Sequence, residues 1–290
     1  MTDPLDAEEI QVLTIESNFT VDSVHEALFV TDAAGTGLDR FDDLLSLRRR
    51  VTPNRAEYAM FAAYGAALRS AALRGGVGAA LVDTDGEVVA LGTAEVPAGG
   101  GGQYWDGDND DARDFVAGAD PATAARTDTV VALLSVLATR LGVTLPEPAA
   151  DTAATLLREF DADQGSLGVG HGRSAAQSFE SLGRVVHAEM AALLSAARTG
   201  IAVSGHTLYV TALPCRQCLR HLVCAGLERV VYFGSRLPDP PVFHRDSVTT
   251  GPDEPRRLTL LPFTGVGPGA YPLLFTRQMR TFRQSRSRSS

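Results

Sequence analysis

Two hydrophobic periods alternate along this chain, and the points where they switch divide it into elements. From Thr52 to Arg74, "TPNRAEYAMFAAYGAALRSAALR" carries Phe61, Tyr64, Leu68 and Ala71 at helical spacing. Thr52 suits an N-cap there, and Pro53 suits the first helical position. "VGAALVDTDGEVVALGTAEV" follows, with two β-rich runs around Asp85-Gly86, the pattern of a hairpin. "PAGGGGQYWDGDNDDARDF" reads as loop. "TAARTDTVVALLSVLATRLGV" returns to the helical period and sets Val130, Leu133, Leu134, Leu137 and Leu141 on one stripe. The pattern then predicts a helix from Leu182 to Arg198, a strand from Thr207 to Thr211, and a helix from Arg216 to Gly226. A strand from Arg229 to Gly234 comes next, then a proline-containing connection and a last strand around Arg257 to Phe263. That connection is long enough for a parallel crossover.

Hairpin, helix, strand, helix, strand and strand predict an α/β fold: a sheet of about five strands sandwiched by helices in three α/β/α layers. Residues 1–50 read as an acidic lead-in. Residues 51–276 read as the domain, with a helical and loop insertion over about 104–180. Residues 277–290, rich in Arg and Ser, read as a tail without fixed structure.

Composition narrows the function classes. The 290 residues suffice for a sizeable core. No apolar run reaches the ~18 residues of a membrane span. The opening "MTDPLDAEEIQ" lacks the basic-then-apolar form of a signal peptide, so a cytoplasmic location is the expectation. A formal charge of −9 argues against general nucleic-acid binding; the Arg-rich tail is the local exception. Every basic side chain is Arg, which excludes a Walker A loop and lysine Schiff-base chemistry. Three cysteines, Cys215, Cys218 and Cys224, are too few and too clustered for a secreted disulfide framework.

The cysteines instead suggest a metal. Cys215 and Cys218, three apart after Pro214 at a helix start, point off one face. The helix N-terminus favours their thiolates, and two adjacent thiolates need a cation. His187 offers a neutral nitrogen from the start of another helix. Cys₂His is the ligand set of a catalytic zinc with one position left open. Cys224, further along the same helix, is a poor fourth ligand. Glu189, in the first turn after His187, converges on the same place, where a carboxylate can take and pass on a proton. Singly, a Cys-x-x-C could be redox or structural, and a lone His or first-turn Glu is commonplace. The order His187-x-Glu189 then Pro214-Cys215-x-x-Cys218 is the signature of zinc nucleobase deaminases.

With "EYAMFAAYGAALRSAALRGGVGAALVDTDGEVVALG", "GGGGQYW", "RHLVCAGLERVVYF", "FHRDSV" and "LPFTGVGPGAYPLLF", these residues make the chain resemble the deoxycytidylate deaminase branch of the cytidine deaminase-like family, in particular its anti-phage dCTP deaminases. The resemblance spans roughly residues 52–276. It implies a mixed-sheet α/β/α sandwich, one zinc per chain on His187, Cys215 and Cys218, and Glu189 as proton shuttle. It implies attack at C4 of a cytosine nucleotide, dCTP or dCMP, with loss of ammonia to give the uracil nucleotide. A homo-oligomer and a setting of nucleotide depletion in phage defence come with it. Around the substrate it suggests Arg69 and Ser70, Ala94, Ala188, and Leu213 with Pro214; Tyr104 and Trp105 are candidates to stack on a base.

The chain departs from those relatives in several places. They carry a P-loop domain that a lysine-free chain cannot build. They usually have Asn where this chain has Ala94, a polar residue at Ala191, and a proline-lysine segment where "SRLPDPP" stands. The acidic stretch Asp106 to Asp114 fails as an EF-hand loop, with Asp111 where Gly is needed and Ala117 where Glu belongs. Two other readings stand beside the nucleotide deaminase. One is a deaminase of single-stranded DNA or RNA, which shares the motif but needs a basic funnel. The other is a non-catalytic zinc-containing regulatory subunit, for which a retained Glu189 has no use.

Overall fold

A computed structural model describes residues 12–14, 23–73, 76–118, 121–145, 148–163, 183–235, 237 and 244–287. The elements begin with β1 (Val12–Thr14), α1 (Ser23–Glu26), β2 (Phe29–Thr31), α2 (Leu38–Ser46) and α3 (Arg55–Ala67). The hairpin strands β3 (Gly78–Val82) and β4 (Val88–Thr93) follow, then α4 (Asp114–Ala117), α5 (Pro121–Leu141) and α6 (Ala149–Asp163). After these come α7 (Ala188–Arg198), β5 (Thr207–Val210), α8 (Arg216–Cys224) and β6 (Arg229–Tyr232). The described chain closes with β7 (Val248–Thr249), β8 (Leu258–Pro262), β9 (Gly265–Val266) and α9 (Tyr271–Ser287).

The main sheet has six strands in the order β4-β3-β5-β6-β8-β7. The hairpin half, β4-β3-β5, is antiparallel, and β5, β6, β8 and β7 run parallel. The long connection before β8 is therefore the parallel crossover expected from its length. The sixth strand is the two-residue β7, too short to leave a period in the sequence.

Helices cover both faces. On one, α7 and α8 meet Ala79, Leu81, Ala90, Leu208, Val210, Val230 and Leu260. On the other, α3 brings Met60 and Ala63 against Ala80, Phe233 and Phe263. Helices approach the hairpin so closely that two strand positions are restricted to glycine. A Cβ on Gly78 would lie 2.0 Å from the Ala63 carbonyl oxygen, and one on Gly92 would lie 2.0 Å from that of Ala188. Gly92 thus sets how near the first turn of α7 sits to the sheet.

That close approach explains a departure in α3. Its buried face is Ala59, Ala63, Ala66 and Ala67 with one larger side chain, Met60, not the stripe expected from periodicity. Leu68 is exposed, and Ala71 lies past the helix end. Phe61 stacks on Tyr271 with centroids 4.3 Å apart, and Tyr64 hydrogen-bonds His25 at 2.9 Å. The N-cap is Asn54 rather than Thr52. Its side chain accepts from the Glu57 N–H at 2.8 Å and Glu57 accepts from the Asn54 N–H at 2.9 Å, a reciprocal box that Thr52 cannot form.

The acidic N-terminal residues also fold. From residue 23 on they supply α1, β2 and α2, whose Phe29, Phe41 and Leu44 build a third core with Val266, Leu274 and Phe275. Parallel β1-β2 and antiparallel β2-β9 pairing makes a second sheet of three strands. The acidic residues hid this amphipathic pattern in the sequence. Glu57, fully buried, links the parts: it accepts from Arg40 at 2.5 and 2.7 Å and from the Val266 N–H at 3.0 Å. The C-terminal stretch, expected to be unstructured from residue 277, continues α9 to Ser287. Buried Leu274, Phe275 and Gln278 anchor that helix, and the Gln278 side chain bridges the Leu44 carbonyl and the Val51 N–H. Residues 1–11, 15–22, 164–182 and 288–290, on which parts of the lead-in, insertion and tail expectations fall, lie outside the described residues.

Candidate metal and active site

Helix entries build the site. The helix expected from Leu182 begins only at Ala188, because Val186 is held in a two-way backbone pairing with Glu95. His187 is thereby the N-cap of α7, with Glu189 in its first turn. At the C-terminal end of β5 the chain turns through Leu213 and buried Pro214 into α8, whose N-cap is Cys215. Cys218 follows in the first turn, and its N–H donates to Cys215 Sγ at 3.5 Å. Two helices on the same sheet face thus point their positive N-terminal ends at one spot, which favours thiolates there.

His187 Nδ1 lies 3.5 Å from Cys215 Sγ and 3.5 Å from Cys218 Sγ. The three ligand atoms all fall within 4.8 Å of one another, the one such group among the described residues. A tetrahedral zinc with Zn–S ~2.3 Å and Zn–N ~2.0–2.1 Å has S–N edges of ~3.6 Å. The observed separations match those edges, and both cysteines are free and buried. The donors, two soft thiolates and an imidazole nitrogen, are those zinc takes. Cys224 is exposed and stands outside the group.

The hydrogen bond from the Cys218 thiol, with help from His187, holds Cys215 down to about 4. The same bond and burial push Cys218 up. Glu189 is 4% exposed, and burial raises its carboxyl above the ordinary value. His187, Cys215 and Cys218 all act on its protonation, so the carboxyl lies beside the ligand group.

The residues expected around the substrate make definite contacts of their own. Ser70 Oγ donates to the Ala94 carbonyl at 2.6 Å, and Ala94 itself is buried in the main core. Ala188 is fully buried under β4, and Leu213 packs against the same core. Arg69 is engaged by the loop after β4. It donates to Gln103 Oε1 at 3.1 Å and to the Tyr104 carbonyl at 2.9 Å, and its guanidinium lies 3.7 Å from the centroid of the Trp105 ring. It fixes the glycine-rich loop, with one face of Trp105 already stacked. Sequence reasoning passed over Glu95. This carboxylate is 1% exposed and accepts from the Ala71 and Val96 N–H groups at 2.7 and 2.8 Å. It ties the end of α3 to the segment that pairs with Val186, next to His187. A Glu in a strand-like apolar run was the available signal.

The family model described as the cytidine and deoxycytidylate deaminase zinc-binding region matches residues 53–234. The chain is 40% identical over 60 residues to a deoxycytidylate deaminase of Enterobacteria phage T4, covering 21% of this chain and 31% of that protein. It is 41% identical over 49 residues to ComE operon protein 2 of Bacillus subtilis, covering 17% of this chain and 26% of that protein. The matched stretches thus span about a third or less of these relatives. Among solved structures, the dCMP deaminase from cyanophage S-TIM5 in complex with dCMP and dUMP aligns at 17% identity with a TM-score of 0.38, over 73% of this chain and 99% of that one. The matched region takes in more than half of the chain and contains the entire His-Cys-Cys group, so the chain belongs to the family of the cytidine and deoxycytidylate deaminase zinc-binding region.

Proposed function

We propose that this protein hydrolytically deaminates a free cytosine deoxynucleotide, dCMP or dCTP, to the uracil nucleotide. The observation that carries the reading is the buried Glu189 carboxylate beside the His187, Cys215 and Cys218 group. A purely structural zinc has no need of an adjacent, desolvated carboxylate. His187, Cys215 and Cys218 hold the metal, which when bound supplies Lewis acidity that makes water nucleophilic at neutral pH. Glu189 is buried, and its raised proton affinity suits taking a proton from the nucleophile and passing it to the departing amine. Helix α7 is pressed on the sheet at Gly92, and Arg69 braces the loop after β4, which would keep both in place around a nucleotide.

A single nucleotide fits the electrostatics better than a strand. A protein of net charge −9 repels a polyanion at long range, whereas one nucleotide needs only local donors. The test is a panel of cytidine, dCMP, dCTP, CTP and cytosine-containing single-stranded DNA, with uracil products quantified. Turnover of dCMP or dCTP is expected, and the preferred one fixes the phosphate number. Turnover of the strand alone would overturn the nucleotide reading. No turnover of any substrate by zinc-loaded protein would favour a non-catalytic subunit.

A further inference from the structure

Among the described residues, the helical hairpin of α5 and α6 makes no extensive contact with the three-layer core. Its helices pack chiefly on each other, through buried Ala138 and Ala153 with Val130, Val131 and Leu134 partly covered. The apolar stripe expected on α5 is therefore divided. Its other part, Leu133, Leu137 and Leu141, joins Val136 on the outside, each 56–72% exposed. These positions fall at i, i+3, i+4 and i+8, a continuous seam along one helical face. Val143 and Leu156 add exposed apolar surface at the hairpin's end and on α6. From Thr129 to Thr139 the helix carries no charge at all. A face meant for water is polar, and two helices alone hold each other only marginally.

We propose that this outer stripe of α5 is the contact between two copies of the chain, which pair hairpin to hairpin as a four-helix bundle. A self-matching stripe needs no second surface, since an isologous contact uses the same patch twice. The absence of charge decides in favour of a second copy. Two molecules of net charge −9 repel wherever their acidic surfaces meet, and the α5 face lets them touch without that repulsion. At ~1.5 Å per residue and ~10 Å across, α5 presents ~300 Å² in projection, a small contact of the class below ~1,200 Å² in total that dissociates on dilution.

The test is the molar mass of the full-length, zinc-loaded protein across the micromolar range by sedimentation, beside the Leu133→Glu/Leu137→Glu double variant and the milder Leu137→Gln. The parent is expected as a multimer whose mass falls twofold in the double variant, with Leu137→Gln dissociating at higher concentration than the parent. Zinc content and the unfolding transition, measured on the same samples, identify a variant that has simply misfolded. Hydrogen exchange of the parent gives an independent reading: α5 amides should be protected in concentrated samples and lose that protection on dilution. A parent that is monomeric throughout, or folded variants that keep the parent's mass, would overturn the proposal. So would α5 amides equally protected in the dilute monomer, which would assign the stripe's cover to the same chain.

Discussion

Replacing Glu189 by Gln separates chemistry from architecture, because the two side chains have the same shape. The amide can still fill the space beside Cys218 but cannot carry a proton between nucleophile and leaving amine. A positioned acid–base group typically contributes ~10²–10⁴-fold, so kcat should fall by that factor, equivalent to ~2.7–5.5 kcal/mol of barrier. KM should change little, since the lost interaction is made chiefly in the transition state. Stability should move the other way. Burial raises the folded-state affinity of Glu189 for its proton above the ordinary 4.5. In the metal-free protein, ionised Glu189 therefore opposes folding, by an amount absent below pH 4.5 that grows as pH rises toward the folded-state value. Glu189→Gln removes that opposition, so the metal-free variant should unfold at equal or higher temperature than its parent at neutral pH. The assay is uracil-nucleotide formation at several substrate concentrations, with zinc measured on the same samples and melting followed on chelated ones. A variant with equal zinc and kcat within tenfold of the parent would refute the proton-transfer role. A variant that loses zinc or stability would recast Glu189 as a structural group.

Elemental analysis should find about one zinc per chain in the parent, and Cys218→Ser should abolish it while lowering the melting temperature; a parent free of zinc sinks the metal assignment. Gly92→Ala should push the first turn of α7 off the sheet, since the new methyl would lie 2.0 Å from the Ala188 carbonyl oxygen. Overpacking of this kind costs ~1–3 kcal/mol, and turnover should fall with it; unchanged urea unfolding and unchanged turnover would show that α7 is not seated as described. Glu57→Ala leaves Arg40 facing a buried void and unties α3 from β9. Breaking such a pair costs ~3–5 kcal/mol, to be read from denaturant unfolding; a loss below about 1 kcal/mol would mark the pair as no better than a surface contact.

The sequence alone marked out the metal-ligand group and the carboxyl near it, because these residues come in short local patterns. His187-x-Glu189 and Pro214-Cys215-x-x-Cys218 each fit within one helix entry, where backbone geometry fixes how side chains diverge. The Asp85-Gly86 hairpin and the parallel crossover into β8 were legible for the same reason, as turn chemistry and connection length are local. What faces each element is not local. Periodicity grouped Leu133 with Leu134 on α5, yet only the tertiary structure covered one in part and left the other exposed. It assigned the Arg69 guanidinium to the loop at Tyr104 and Trp105, folded the acidic N-terminal residues against α9, and chose alanines over aromatics for the buried face of α3. It also brought His187 to 3.5 Å from cysteines 28 and 31 residues away. A sequence records which side chains share a face; which surface that face meets depends on how closely distant backbones can approach, and here Gly78 and Gly92 set that distance.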